Sequence, residues 1–219
     1  MPGGDVCTRF PLRMCAAMLV DYLDDNRVRS SLLSHKGTGA LSEEDLLRVT
    51  AQVENQTALS WTSSTGRVLD ALAAGTGICL HRTYEGEPAM MVEAVAEEGK
   101  PEIPGYMSDL IVEQEVPTVD TTKLLLEAIF AIGRAPLSDI CAGFQQCLSG
   151  ALASIAIDAA KSRGIRRVGL TGGVAVNSRI VETMRRCVEE QELTFLQHRL
   201  VPPGDGGLSL GQAVIAAQV

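Results

Sequence analysis

The sequence predicts a helix-rich α/β protein with a small sheet, and three observations carry that reading. The runs 166–171 and 193–199 look like strands, and each leads into a helical pattern, at 178–191 and 207–217, so the end of the chain reads as β-α-β-α. Residues 1–164 are dominated instead by apolar positions at helical spacing. A β-α-β unit requires right-handed parallel pairing within a larger sheet, and about two to four strands are few for 219 residues. Part of the sheet is therefore expected to lie elsewhere. On this reading residues 1–219 form a single lobe, with a mainly helical part at 1–164 and a terminal β-α-β-α unit at 165–219.

Each element has its own justification. Pro11 suits a first helical turn, and Cys15, Met18, Leu19 and Tyr22 follow at helical spacing, giving a helix over 11–24. HKGTGA is a loop. Ser42 with Asp45 resembles a capping box ahead of a short helix through Leu46, Val49 and Val53. Ser63 or Ser64 is placed to cap a helix over 65–75, whose apolar positions include Val68, Leu69 and Leu72 and whose interior holds Asp70. A link containing TYEGEP precedes a helix over 88–98. LIVEQEVPTVD then suggests one or two short strands, and Pro117 confines them to a hairpin or an edge. The longest helix runs from Pro136 to Gly164, with Ile140, Phe144, Cys147, Leu148, Ala151 and Ile155 on one face and Gly164 as its C-cap.

Composition narrows the function. A net charge of −8 and a pI near 4.9 argue against nucleic acid as a partner, because that affinity comes chiefly from Lys and Arg. Six cysteines show no CxxC pair and no zinc spacing, and sit mostly at apolar helical positions, as reduced buried thiols of a cytoplasmic protein do. No continuous apolar run reaches the roughly 20 residues of a membrane span, and no basic region precedes an apolar core at the N-terminus. The opening MPGGDVCTRFP begins with a turn, as expected of a chain cut from something longer.

Two glycine-rich turns are the candidate chemistry. In LTGGVAVN, Gly172 and Gly173 follow a strand and precede a helix, where backbone amides can hold a phosphate or the chain can simply turn a corner. Asn177 can contact a ligand or cap that helix. In VPPGDGGLSLGQA, Asp205 can ligate a divalent cation or cap the helix after it. Both turns follow consecutive strands and so belong at the same sheet edge, where open α/β sheets bind ligands. A second pair is Asp70, either a ribose partner or a solvated helix carboxylate, and Gly86, either a close-approach point or a plain turn. Arg13 and Arg67 can meet phosphate or pair with acidic side chains. The three histidines are dispersed, and Trp61 is expected to pack rather than to serve as a ligand platform.

Taken in order, PGGD, FPLR, SSTGRVLDALA, YEGEPAM, LTGGVAVN and VPPGDGGLSLGQA resemble the C-terminal part of the HypF family of hydrogenase-maturation carbamoyltransferases, over about residues 2–217. The resemblance implies the second lobe of the actin, Hsp70 and sugar-kinase fold (ribonuclease H-like), with a small sheet and a helical insertion. It also implies similarity to the tRNA-modifying protein TsaD and to antibiotic O-carbamoyltransferases. It further implies a nucleotide site in which Gly172 and Gly173 face phosphate, with Asn177 nearby and with Asp70, Gly86 and Glu87 near the nucleoside. Asp205 matches the aspartate ligand of a divalent metal. The implied reaction passes a carbamoyl group from carbamoyl-AMP, made with ATP, to the C-terminal cysteine of a HypE-like acceptor.

Departures accompany the matches. The His-x-x-x-His pair that completes the family's metal site belongs to the first lobe, and no two histidines here have that spacing. Leu12 replaces the tryptophan of the family's Pro-Trp-Arg, and Met91 stands where TsaD has a nucleoside-contacting glutamate. The expectation is a lobe that is incompetent by itself and that presents an apolar or glycine-rich face to a missing N-terminal lobe or to a second copy. A non-catalytic interaction module that kept the fold is the alternative from a different class, and a TsaD-like tRNA-modification or O-carbamoyltransferase relative is a further one.

Overall fold

The structure, a computed structural model, describes residues 1–101 and 110–218. It divides into two compact units, Met1–Tyr106 with Asp120–Phe144, and Met107–Val119 with Gln145–Val219.

The first unit is helical. It holds α1 (Asp5–Arg9), α2 (Leu12–Met18), α3 (Asn26–Ser34), α4 (Glu43–Glu54), α5 (Thr65–Gly75), α6 (Glu87–Ala96) and α7 (Thr121–Ala131), together with the start of α8 (Leu137–Ser162). At its centre is α5, in which every residue from Val68 to Gly75 is buried, against α2, α6 and α7. A helix buried all round must be apolar or small-residued, and VLDALAAG is both, apart from Asp70. Gly75 is required by packing, since a Cβ there would lie 2.8 Å from Cys15 Sγ and 2.9 Å from Ile129 Cδ1. The predicted capping box of α4 is present, with Ser42 and Asp45 bonding each other's backbone N–H. Ser64 stands at the N-cap of α5 but makes no side-chain cap.

Three helices were not anticipated. α1 is a single turn. α3 carries only two buried apolar residues, Val28 and Leu32, so its periodicity is weak, and its signal is Asp25, which accepts from Arg27 N at 2.8 Å as N-cap. α7 follows Asp120, whose carboxylate caps Lys123 N at 2.8 Å.

The second unit contains the hairpin β1 (Ile111–Val112) and β2 (Thr118–Val119), antiparallel around Pro117, and the remainder of α8. It ends with β3 (Arg167–Gly169), α9 (Ser178–Glu190), β4 (Thr194–Leu196) and α10 (Leu208–Ala216). β3 and β4 pair in parallel, Val168 opposite Phe195, with α9 as the crossover. α9 buries Ile180, Val181, Met184 and Val188, an i, i+4, i+8 stripe. Gly164 at φ 66° ends α8 as expected, and Ile165 N donates back to Ala160 O at 2.8 Å.

α8 differs from the sequence expectation in one respect. By length and composition it is long and apolar enough to cross a membrane, but most of it is buried within the protein, as in the core helix of a globular fold. Trp61 also departs from expectation: it is 85% exposed and packs into no core.

Candidate functional site

In the first unit, Asp70 is only 4% exposed. Arg67, one turn earlier on α5, places Nη1 2.7 Å from Asp70 Oδ2, so the charges are paired. The angles fall short of a hydrogen bond, and neither atom has another partner. Burial pushes the Asp70 carboxyl above its ordinary value, and the Arg67 and Arg82 charges pull against that. A buried carboxylate with an unsatisfied oxygen is the kind of group that waits for a donor. Arg13 donates from Nη2 to a neutral partner, Gln52 Oε1, at 2.8 Å rather than to an acidic side chain.

The turn before α6 is held from within. Gly86 sits at φ 78°, ψ −4°, a left-handed position, and caps α6. Glu87 folds its carboxylate back to accept from Thr83 N, from Thr83 Oγ1 at 2.9 Å and from Tyr84 N at 3.4 Å. Those bonds hold its carboxyl below the usual glutamate range. Glu87 thus shapes the turn, and its hydrogen bonds keep the YEG backbone in one conformation.

In the second unit the two glycine turns meet. Gly172 lies at φ 92°, ψ 178°, and its N–H donates to Pro203 O at 2.8 Å. Thr171 Oγ1 donates to the same carbonyl at 3.3 Å. The same hydroxyl lies 3.0 Å from His198 Nε2, in hydrogen-bond contact. A short 3₁₀ turn, Gly173–Val176, follows, and Gly204 backs onto Gly173. A Cβ built at Gly172 or Gly173 would meet nothing within 4 Å, so the space over the turn is open. Beside it is a cavity of about 220 Å³, lined by Leu170, Val181, Phe195, His198 and Pro203 among others.

The two polar candidates of this region separate. Asn177 is 4% exposed and caps α9, with Oδ1 accepting from Ile180 N at 3.0 Å and Nδ2 donating to Gln145 Oε1 at 2.7 Å. Both ends of its amide are used inside the protein. Asp205 is exposed in the short turn Asp205–Gly207 and makes no cap. It is a free oxygen donor of the kind a hard divalent cation takes. Among the described residues, however, no three His, Cys, Asp or Glu side chains converge. One carboxylate does not replace a cation's water shell, so these residues do not by themselves make a metal site.

His198 and Thr171 were not singled out by sequence reasoning. Their signal was available: both lie at the C-terminal ends of strands that pair in parallel, two residues past the β3 and β4 termini Gly169 and Leu196. None of the six cysteines is in a disulfide, and five of them are buried.

Known proteins match the chain over nearly its whole length. Residues 1–212 match the family described as carbamoyltransferase, Kae1-like domain, second subdomain. The probable carbamoyltransferase HypF of Methanocaldococcus jannaschii is 32% identical over 215 residues, covering 97% of this chain and 27% of the relative. The crystal structure of T. kodakarensis HypF superposes with a TM-score of 0.77 at 32% identity, over 99% of this chain and 28% of that one. A crystal structure of full-length HypF in a phosphate- and nucleotide-bound form gives a TM-score of 0.86 at 23% identity, over 100% and 28%, and speaks for the fold. The chain spans about a quarter of the length of these proteins.

Proposed function

Because the chain belongs to the HypF carbamoyltransferase family, as the second subdomain of its Kae1-like domain, we propose that it supplies half of a nucleotide site for carbamoyl transfer. In this reading a carbamoyl group passes from carbamoyl-AMP to the sulfur of a HypE-like acceptor's C-terminal cysteine, in the cytoplasm, during hydrogenase maturation. A C–S bond forms, the bond from the carbamoyl carbon to the adenylate oxygen breaks, AMP leaves, and the thiol proton goes to solvent.

The observation that carries the reading is the joining of the Gly172–Gly173 turn to the Gly204–Asp205 turn through Pro203 O, with open space above Gly173. N–H groups at such a turn suit phosphate. Asp70, with its unsatisfied oxygen, and the Gly86 turn are assigned to the nucleoside. Asn177 contributes by holding α9 at the turn rather than through its own amide. Asp205 is assigned one metal-ligand position, and the remaining ligands must come from another lobe.

The 219 residues by themselves are therefore proposed to be incompetent. The test is an assay with carbamoyl phosphate, ATP and acceptor: no turnover by the chain alone, and turnover once the rest of a HypF protein, which makes the carbamoyl-AMP and supplies the first subdomain, is joined or added. Turnover by the chain alone sinks the claim of incompetence. A non-catalytic interaction module is favoured by one observation, the exposed apolar helix α10. Calorimetry decides between the two, since such a module has no nucleotide binding for a Gly173 substitution to abolish.

A further inference from the structure

The first unit carries a cleft of about 510 Å³ lined by Thr8, Arg9, His81, Arg82, Thr83, Tyr84 and Glu85. Its walls are tied together by the backbone: Arg82 N donates to Arg9 O at 2.9 Å, fastening the segment before Gly86 to the end of α1. Each arginine then spends its Nε on the scaffold. Arg9 Nε donates to His81 Nε2 at 3.3 Å, and His81 stacks on Phe10 at 5.2 Å between centroids. Arg82 Nε donates to Tyr84 O at 3.0 Å.

What is left over is a pair of guanidinium ends. Neither Arg9 nor Arg82 has a carboxylate within ion-pair distance among the described residues, although the chain has 27 acidic side chains to 19 basic ones. Arg27, Arg29, Arg48, Arg67 and Arg185 all find one. The acids near the cleft are engaged elsewhere: Glu87 is turned into its own loop, Glu85 is exposed without an ion pair, and the buried Asp70, which feels the Arg82 charge from beyond ion-pair distance, is paired with Arg67. Two planar donor forks that line a cavity with no carboxylate at ion-pair distance form an oxyanion site, and a carboxylate matches a fork in two-pronged fashion.

We propose that this cleft is a carboxylate clamp which grips the free C-terminal carboxylate of the acceptor polypeptide. The proposal rests on the carbamoyl-transfer reading above. In that reaction the nucleophile is the sulfur of a terminal cysteine, so the α-carboxylate belongs to the same residue as the reacting atom. Gripping it restricts where the thiol can sit and rejects internal cysteines, which carry no such charge. Capture of a chain terminus by fixed donors is an established mode of peptide recognition. Tyr84, half exposed, and Thr8, whose hydroxyl donates to Asp5 O at 2.9 Å, complete the lining.

The test uses two peptides with the acceptor's last eight residues, one ending in cysteine free acid and the other in cysteine amide, titrated against the 219-residue chain by fluorescence anisotropy. The free acid is expected to bind about tenfold tighter, as befits a charge-assisted bond. The preference should disappear in Arg9→Gln and in Arg82→Gln, two substitutions near the surface whose folding is checked by thermal melting. Acetate should compete with the free acid and leave the amide unaffected. Equal affinity for the two peptides overturns the clamp, as does a preference that survives both substitutions, or binding of neither peptide. In the transfer assay, equal carbamoylation of both peptides removes the clamp and leaves the reaction standing. Carbamoylation of neither, with the chain joined to the rest of a HypF protein, removes the reaction itself.

Discussion

Gly172 and Gly173 are adjacent, yet the structure gives them different tasks, and a pair of substitutions separates them. Gly172 needs its glycine for backbone reasons: φ 92° with ψ 178° is a region essentially closed to other residues, so Gly172→Ala is expected to cost about 1–3 kcal/mol. For a chain of this size that is roughly 2–4 °C of melting temperature per kcal/mol, or about 4–8 °C at the middle of the range. No steric cost is added, because a Cβ there meets nothing within 4 Å. Gly173 has no such backbone, and a Cβ there is equally free, so Gly173→Ala is expected to change stability by less than about 0.5 kcal/mol. If the open space is a phosphate seat, the added methyl should still weaken ATP binding by about tenfold through crowding. The assay is thermal and urea unfolding of both variants alongside calorimetry with ATP. Equal destabilisation by the two substitutions, or full ATP affinity in Gly173→Ala, refutes the division of labour.

Three further outcomes follow from the packing. Asn177→Ala removes both a helix cap and the bond to Gln145 Oε1, and is expected to lower stability by about 2–3 kcal/mol in urea unfolding, well beyond an exposed cap. α10 has no buried residue and exposes Leu208, Leu210, Val214 and Ile215, so the isolated chain should self-associate; Ile215→Asp should make it monodisperse in light scattering, and an unchanged mass distribution would count against that face. Burial pushes the Cys15 and Cys141 thiols up to about 12, so iodoacetamide at pH 8 should leave both unmodified in the folded chain and alkylate the half-buried Cys187 first, as read by peptide mass mapping.

Long periodic elements were legible in the sequence because periodicity and burial coincide. α5, α8 and α9 each carry a sustained apolar stripe, and the two glycine turns were legible as strand-to-helix junctions. α3 and α7 were not, for opposite reasons. α3 buries too little to show a stripe, while α7 follows a strand-like run so closely that its cap, Asp120, was absorbed into the strand. The site was half legible. Residue type singled out Gly172, Gly173 and Asp205 as candidates and the structure brings their two turns together, but whether Asn177 faces ligand or core is decided by Gln145, 32 positions earlier, a contact that no local pattern reports. Arg9 and Arg82 meet across 73 residues by a backbone hydrogen bond, equally beyond local reading.

Asp70 offers the sharpest test that this unit is shaped for a ligand rather than for stability. Its carboxyl is raised above the ordinary value of 3.8 by burial, with Arg67 and then Arg82 opposing. A value higher in the folded state than in the unfolded one means that the folded chain holds this proton more tightly. The resulting stabilisation is complete below the ordinary carboxylate value and is lost as pH rises through the raised one. At neutral pH the ionised side chain therefore lowers stability, the reverse of a carboxylate in a well-made surface pair. Asp70→Asn should then be at least as stable as the parent at pH 7 in urea unfolding, and should lose this part of the pH dependence. The same variant should bind ATP more weakly, because an amide oxygen is a poorer acceptor for a ribose hydroxyl than a carboxylate. Lower stability of the variant at pH 7 would show that the ion pair with Arg67 outweighs desolvation and that Asp70 serves the fold. Unchanged stability with lost binding is the pattern of a residue kept for its ligand at the expense of the core around it.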